Sequence, residues 1–184
     1  MKKLTNTLLL VCLCAATAVT AAAQKSDDVR RLIIPGEKWA LELTLPGFVV
    51  SQDELRGDGK GRRIMAENEA AGYIVSVFLE PIPDRRTAAQ LRDWDASGHK
   101  DSPVKTSDFK SAEYKGVPTL EYFIKEFQGH QINQKHLNAY LVHEGFWAHI
   151  HLSKVDWRAG DEKLFYDIVD SVKFKDDAVA AAAK

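Results

Sequence analysis

Three histidines are the residues here whose type and spacing could do chemistry. His149 and His151 are two residues apart, and His136 opens the run before them. On a strand, residues two apart point the same way, with side chains starting roughly 6 to 7 Å apart. Two imidazoles at that span can close on one ion at Zn–N distances of about 2.0 to 2.1 Å. The dipeptide Glu144-Gly145 separates strand-like runs at 136–143 and 146–153, the pattern of a two-residue hairpin. That turn pairs His143 with Phe146, Val142 with Trp147, Tyr140 with His149, Asn138 with His151, and His136 with Ser153. One face then carries Leu137, Ala139, Leu141, Phe146, Ala148, Ile150 and Leu152, and must be core. The other carries His136, Asn138, Tyr140, Trp147, His149, His151 and Ser153. The sharp reading makes His136, His149 and His151 ligands of a zinc or copper ion, with Asn138, Tyr140 and Trp147 as ligand-binding contacts. The bland reading is a polar-aromatic layer under a helix or loop, its histidines hydrogen-bonded and inert. Nothing else in the chain supplies a clear fourth ligand.

Other chemistries find no support. There is no Gly-x-Ser-x-Gly elbow and no Walker loop. The glycines of residues 56–61 have the wrong spacing for a phosphate loop, and no helical pattern follows them. His143-Glu144 begins like a zinc-protease motif, but Trp147 stands where the second histidine belongs. Asp93 and Asp95 flank Trp94; two residues apart on a helix they do not share a face, and they read as a solvated surface. No catalytic residue is assigned.

The start of the chain places these residues in a compartment. Lys2 and Lys3 precede an apolar run from Leu8 to Cys14, and small residues lead to Ala21-Ala22-Ala23 before Gln24. That order is a secretory signal with an Ala-x-Ala cut, and its apolar run is shorter than the roughly 20 residues of a bilayer span. Residues 1–23 are thus expected to be removed, leaving a periplasmic or secreted protein. Val11 and Leu13 precede the two cysteines, Cys12 and Cys14, so neither fits a lipidation site. Both cysteines leave with the signal, so the remaining chain has neither disulfide nor thiolate. Of 25 basic and 26 acidic residues, loss of Lys2 and Lys3 leaves 23 against 26. Basic pairs are scattered, unlike the clustered face of a nucleic-acid binder, and no second apolar stretch is long enough to span a membrane.

The elements that must position the histidines follow from periodicity. Residues 24–36 read as a polar leader. Trp39, Leu41, Leu43 and Leu45 alternate with Ala40, Glu42 and Thr44, a half-buried strand ended by Pro46-Gly47. Further strands are read at 64–67, 73–80, 105–109 and 119–127, with 129–135 as a polar connection before the hairpin. Thr87 and Gln90 form a capping box for a helix over 88–97 with an apolar face Ala88-Leu91-Trp94. Trp39, Trp94 and Trp157 read as buried or half-buried packing residues. Leu164, Phe165, Ile168 and Val169 make one stripe of a helix over 161–170. A short strand follows at 171–174, and residues 176–184 form a tail. Consecutive hairpins with two helices argue one α+β domain over 37–175, an antiparallel sheet with flanking helices.

This order of elements carries a resemblance. A strand running into Pro46-Gly47-Phe48 is followed by a hairpin region, a helix near Ala88, and a meander containing Gly116-Val117-Pro118. The chain closes with a helix into Ile168-Val169-Asp170-Ser171-Val172-Lys173-Phe174. Over residues 37–175 the chain resembles the PsbP-like α/β sandwich family, which includes an extrinsic photosystem subunit and small secreted bacterial proteins. The resemblance implies an accessory or binding protein without catalytic residues, acting on an unidentified protein or small molecule. The competing class is a metal-binding protein or metal-dependent hydrolase built on the histidine face.

Overall fold

A computed structural model describes residues 28–82, 84–99 and 104–176; the signal at 1–23 and the tail beyond Asp176 lie outside them. The elements are β1 (Val29–Ile33), β2 (Trp39–Thr44), β3 (Val49–Leu55), β4 (Arg62–Asn68), β5 (Tyr73–Pro81), α1 (Ala88–Gly98), β6 (Thr106–Tyr114), β7 (Val117–Phe127), β8 (His130–His143), β9 (Phe146–Lys154), α2 (Glu162–Ser171) and β10 (Lys173–Asp176).

Seven strands form one antiparallel sheet in the order β3-β4-β5-β9-β8-β7-β6, and β1-β2-β10 form a second. The main core lies between the two. Val75, Val77, Leu79, Ala139, Ile150 and Leu152 from the large sheet meet Leu41 and Leu43 of β2 and Phe165, Ile168 and Val169 of α2. Helix α1 covers the opposite face of the large sheet through Leu91, against Leu120, Tyr122 and Tyr140. Among the described residues no helix is long and apolar enough to cross a membrane.

Period two explains β2, with one departure. Trp39, Leu41 and Leu43 face the core as expected, but the outward Glu42 is only 8% exposed. It accepts from Arg31 at 3.2 Å and Lys175 at 2.8 Å, so two flanking strands supply its counter-charges. One of these, β1, arises where residues 24–36 read as a leader. Leu32 and Ile34 there are buried, and a strand of five residues between polar neighbours carries too little periodicity to be seen alone. The connection read at 129–135 is the first half of β8. Gln128 and Gly129 turn there with φ of 50° and 82°, and Phe127 pairs with His130. The short strand read at 105–109 continues to Tyr114, and β3 has no counterpart among the strands read from sequence.

Candidate functional site

The histidine face is built by a hairpin and roofed by a helix. Glu144 and Gly145 have φ of 45° and 83°, the left-handed pair whose twist matches flanking strands. The hairpin closes in the expected register: Tyr140 opposes His149, Asn138 opposes His151 and His136 opposes Ser153. Neighbouring strands extend each row, with Tyr122 of β7 beside His136 and Phe78 of β5 beside His149. Thr87 caps α1 by accepting from the Gln90 N–H, while Gln90 accepts from the Thr87 N–H at 2.9 Å. The helix then lies across β7 and β8, so the face is covered rather than open.

Under α1 the polar groups meet one another. His136 Nδ1 and His151 Nε2 are 2.8 Å apart, one donating and one accepting, so at least one ring is neutral. His149 Nε2 donates to Asn138 Oδ1 at 2.8 Å. The Tyr140 hydroxyl donates to Asp95 of α1 in a short hydrogen bond. Rings fill the remaining space. Tyr122 stacks on His136 at 4.7 Å and His136 on His151 at 5.1 Å. His149 is stacked by Tyr140 at 5.1 Å, Trp147 at 5.7 Å and Phe78 at 5.9 Å. Within this layer two buried atoms have no hydrogen-bond partner among the described residues: His136 Nε2 and Asn138 Nδ2.

Burial sets the electrostatics. Desolvation disfavours charged imidazolium and pushes His136 down to about 3, with His151, His99 and Lys135 adding repulsion. His151 is pushed down to about 4 by the same cause, opposed by the Asp95 carboxylate, and His149 is lowered likewise. Burial raises the Tyr122 phenol to about 12 and raises Tyr140 further, the latter helped by Asp95. Near neutral pH the layer therefore holds uncharged imidazoles and phenols beside one carboxylate. The values for His136, His151 and Tyr122 lie well away from neutrality, where a general acid or base works.

The structure brings all six residues singled out from the sequence onto one face. Tyr140 and Asn138 are fully enclosed, Trp147 is half-buried at the edge of α1, and His136 is 5% exposed. The ring nitrogens of His136, His149 and His151 point at each other and at Asn138. Among the described residues no group of three or more His, Cys, Asp or Glu is placed to hold a metal ion. Two residues of α1 depart from the sequence reading. Trp94 is 56% exposed, with Arg86 over its ring at 5.5 Å, so it is not part of the apolar face. Asp95, read as solvated, points inward to Tyr140. The signal that finds it is helical: residues 88, 91, 95 and 99 share a face three and four apart, and Leu91 marks that face as buried. The same face carries His99, whose ring lies 4.5 Å from Tyr122.

Neither a protein-family model nor a curated protein matches the chain. Among solved structures it is similar to cyanobacterial PsbP (CyanoP) from Synechocystis sp. PCC 6803, with a TM-score of 0.50 and 14% identity, over 81% of this chain and 92% of that one. It is also similar to LpqN, involved in cell envelope biogenesis of Mycobacterium tuberculosis, with a TM-score of 0.47 and 13% identity, over 80% and 90% of the two chains. The likeness to CyanoP, at that identity, is one of fold. Two antiparallel sheets enclosing the core, with one helix on the outer face of the larger sheet, give this chain the PsbP-like α+β sandwich.

Proposed function

We propose that the chain is an exported, non-enzymatic accessory protein that works by binding a partner protein or small molecule. One observation carries this reading. The residues best suited to chemistry are engaged with one another beneath α1, with imidazoles held neutral and the phenol of Tyr140 tied to Asp95. Such a layer holds a helix on a sheet and offers a substrate no nucleophile paired with a base. The signal-like residues 1–23 support export, and the PsbP-like fold is compatible with a scaffold that displays a surface.

The test uses the untagged chain recovered from the periplasm or medium. Its intact mass should correspond to a start at Gln24, it should show no turnover in hydrolase and oxidoreductase screens, and cross-linking in intact cells should join it to an envelope component. Turnover above background, or a mass retaining residues 1–23, overturns the reading. Calorimetry with zinc and with copper addresses the competing metal reading. With the histidines hydrogen-bonded to one another and to Asn138, neither metal should show saturable binding at neutral pH. One-to-one binding abolished by His149→Ala with His151→Ala would make the metal protein the survivor.

A further inference from the structure

Beside the histidine layer, but outside it, a cavity of about 660 Å³ opens between the end of α1 and β6. Ala96 of α1, His99 at its C-terminal cap, Leu120 of β7, and Lys105, Phe109 and Ser111 of β6 and its approach line it among the described residues. That volume is within the range of small-molecule sites, roughly 300 to 1,000 Å³.

Its apolar wall is made by an irregularity in the strand. The β6–β7 ladder shifts between Ser107 and Lys110, and Asp108 sits there at a φ of 56°. A bulge of this kind places two residues opposite one and re-aims a side chain. Here it brings Phe109 onto the α1 side, where its ring lies 5.4 Å from Tyr122 and 5.4 Å from His99. Left-handed backbone at a non-glycine residue is an uncommon conformation. It holds in place a phenylalanine that remains 45% exposed. The Asp108 carboxylate is engaged by Lys125 at 2.7 Å and Ser107 at 3.0 Å.

Among the described residues lining the cavity, Lys105 carries the charge, and Thr106, Ser111 and the His99 ring are the other polar groups. Among the described residues neither the Lys105 ammonium nor the His99 ring has a hydrogen-bond or ion-pair partner. The Ser111 hydroxyl lines the same space. A second hollow of about 390 Å³ continues from Lys105 past Phe127, itself 46% exposed. Glu126 borders that second hollow and lies 3.4 Å from Gln131. Lys105 is thus a cation that lines both hollows, one holding the exposed ring of Phe109 with the His99 imidazole and the other that of Phe127.

We propose that the cavity at the end of α1 binds a flat aromatic carboxylate, its ring lying on Phe109 and Leu120 and its carboxylate meeting Lys105 and His99. The proposal deepens the binding-protein reading and rests on it. An exposed ammonium–carboxylate pair contributes modestly, so the ring contact should count for at least as much as the charge.

Calorimetry on the exported chain with 2-naphthoate tests it, beside the uncharged 2-naphthamide. Wild type should bind one naphthoate saturably. Lys105→Gln should weaken binding about threefold and Phe109→Ala about fivefold. Lys60→Gln, on a distant exposed turn, should leave it unchanged. The naphthamide should bind wild type about as weakly as naphthoate binds Lys105→Gln. Thermal melting establishes that the variants are folded. Absence of saturable naphthoate binding, or wild-type affinity in folded Lys105→Gln and Phe109→Ala, overturns the proposal. If the cross-linked partner is nevertheless captured, the binding-protein reading survives without this site. If naphthoate is bound and chemically converted, the site stands and the non-enzymatic reading falls.

Discussion

His136 holds its two ring nitrogens in unlike surroundings, Nδ1 against His151 and Nε2 buried with no partner among the described residues. Both favour a neutral ring, and the consequence for stability has a definite sign. The unfolded imidazole titrates near 6.5, whereas the folded one is pushed down to about 3, and His151 to about 4. Between those values and about 6.5 the unfolded chain binds more protons, so stability is fully present above about 6.5 and falls as the pH is lowered. At pH 5 the loss is at most about 2 kcal/mol per buried imidazole. Denaturation midpoints at pH 7.5 and pH 5 measure it. His136→Phe keeps a ring on Tyr122 and should flatten the dependence; an equally steep loss in that variant would place the acid sensitivity elsewhere. A second residue-scale prediction concerns the roof. Tyr140→Phe leaves the half-buried Asp95 carboxylate without its donor and should cost about 1 to 3 kcal/mol in urea unfolding. A change below the error of that experiment would mean that water replaces the phenol. Parity along the strand made the shared face of these residues legible in the sequence. Their partner Asp95 was not, because nothing local says which helix crosses which strands.

At the scale of elements, the two helices differ in how plainly their sequences state their buried side. In α2, Phe165, Ile168 and Val169 are buried and Leu164 lies partly so, a wide apolar stripe with one interpretation. Ile168→Ala should therefore cost about 2 to 5 kcal/mol, and Leu164→Ala less, since it leaves a smaller cavity at the margin of the core. Equal losses in the two variants would mean that α2 is rotated from this position. In α1 only Leu91 is a large buried apolar residue. With a single anchor, the sequence does not separate Trp94 from Asp95 as the second contact; the structure exposes Trp94 and turns Asp95 onto Tyr140. The strands divide the same way. Central β5, rich in Val and Ile, is plain from composition. In β3, and in the first half of β8, most residues are exposed or half-exposed. Those strands exist because of the ladders beside them, and inter-strand pairing leaves no mark on polar side chains.

At the scale of the molecule, β1 and β10 flank β2 at opposite ends of the chain. Their lysine and arginine side chains meet over Glu42, and Leu32 and Ile34 close the core beneath. A chain beginning at Glu37, the boundary that periodicity alone suggests, would lose both apolar side chains and one edge of the small sheet. Each deletion of that kind costs about 2 to 5 kcal/mol against a typical total of about 5 to 15. That chain should fail to melt cooperatively, whereas one beginning at Gln24 should do so. A cooperative transition in the shorter chain would show that β1 is dispensable.

Several properties needed no tertiary information. The signal-like start, the lack of cysteine beyond it, the antiparallel α+β class and the hairpin register each follow from local chemistry: charge order, residue counts, period two, and a turn whose second residue is glycine. The tertiary structure decided everything that depends on which distant segments meet. It roofed the histidine face with α1, turned the imidazoles onto His151 and Asn138, drew Asp95 inward, and made a strand of Val29–Ile33. It also opened the cavity at Phe109, through a bulge in a strand whose polar sequence gave no sign of it. Local periodicity reports which side of an element is buried; what buries it is set by contacts far apart in the chain.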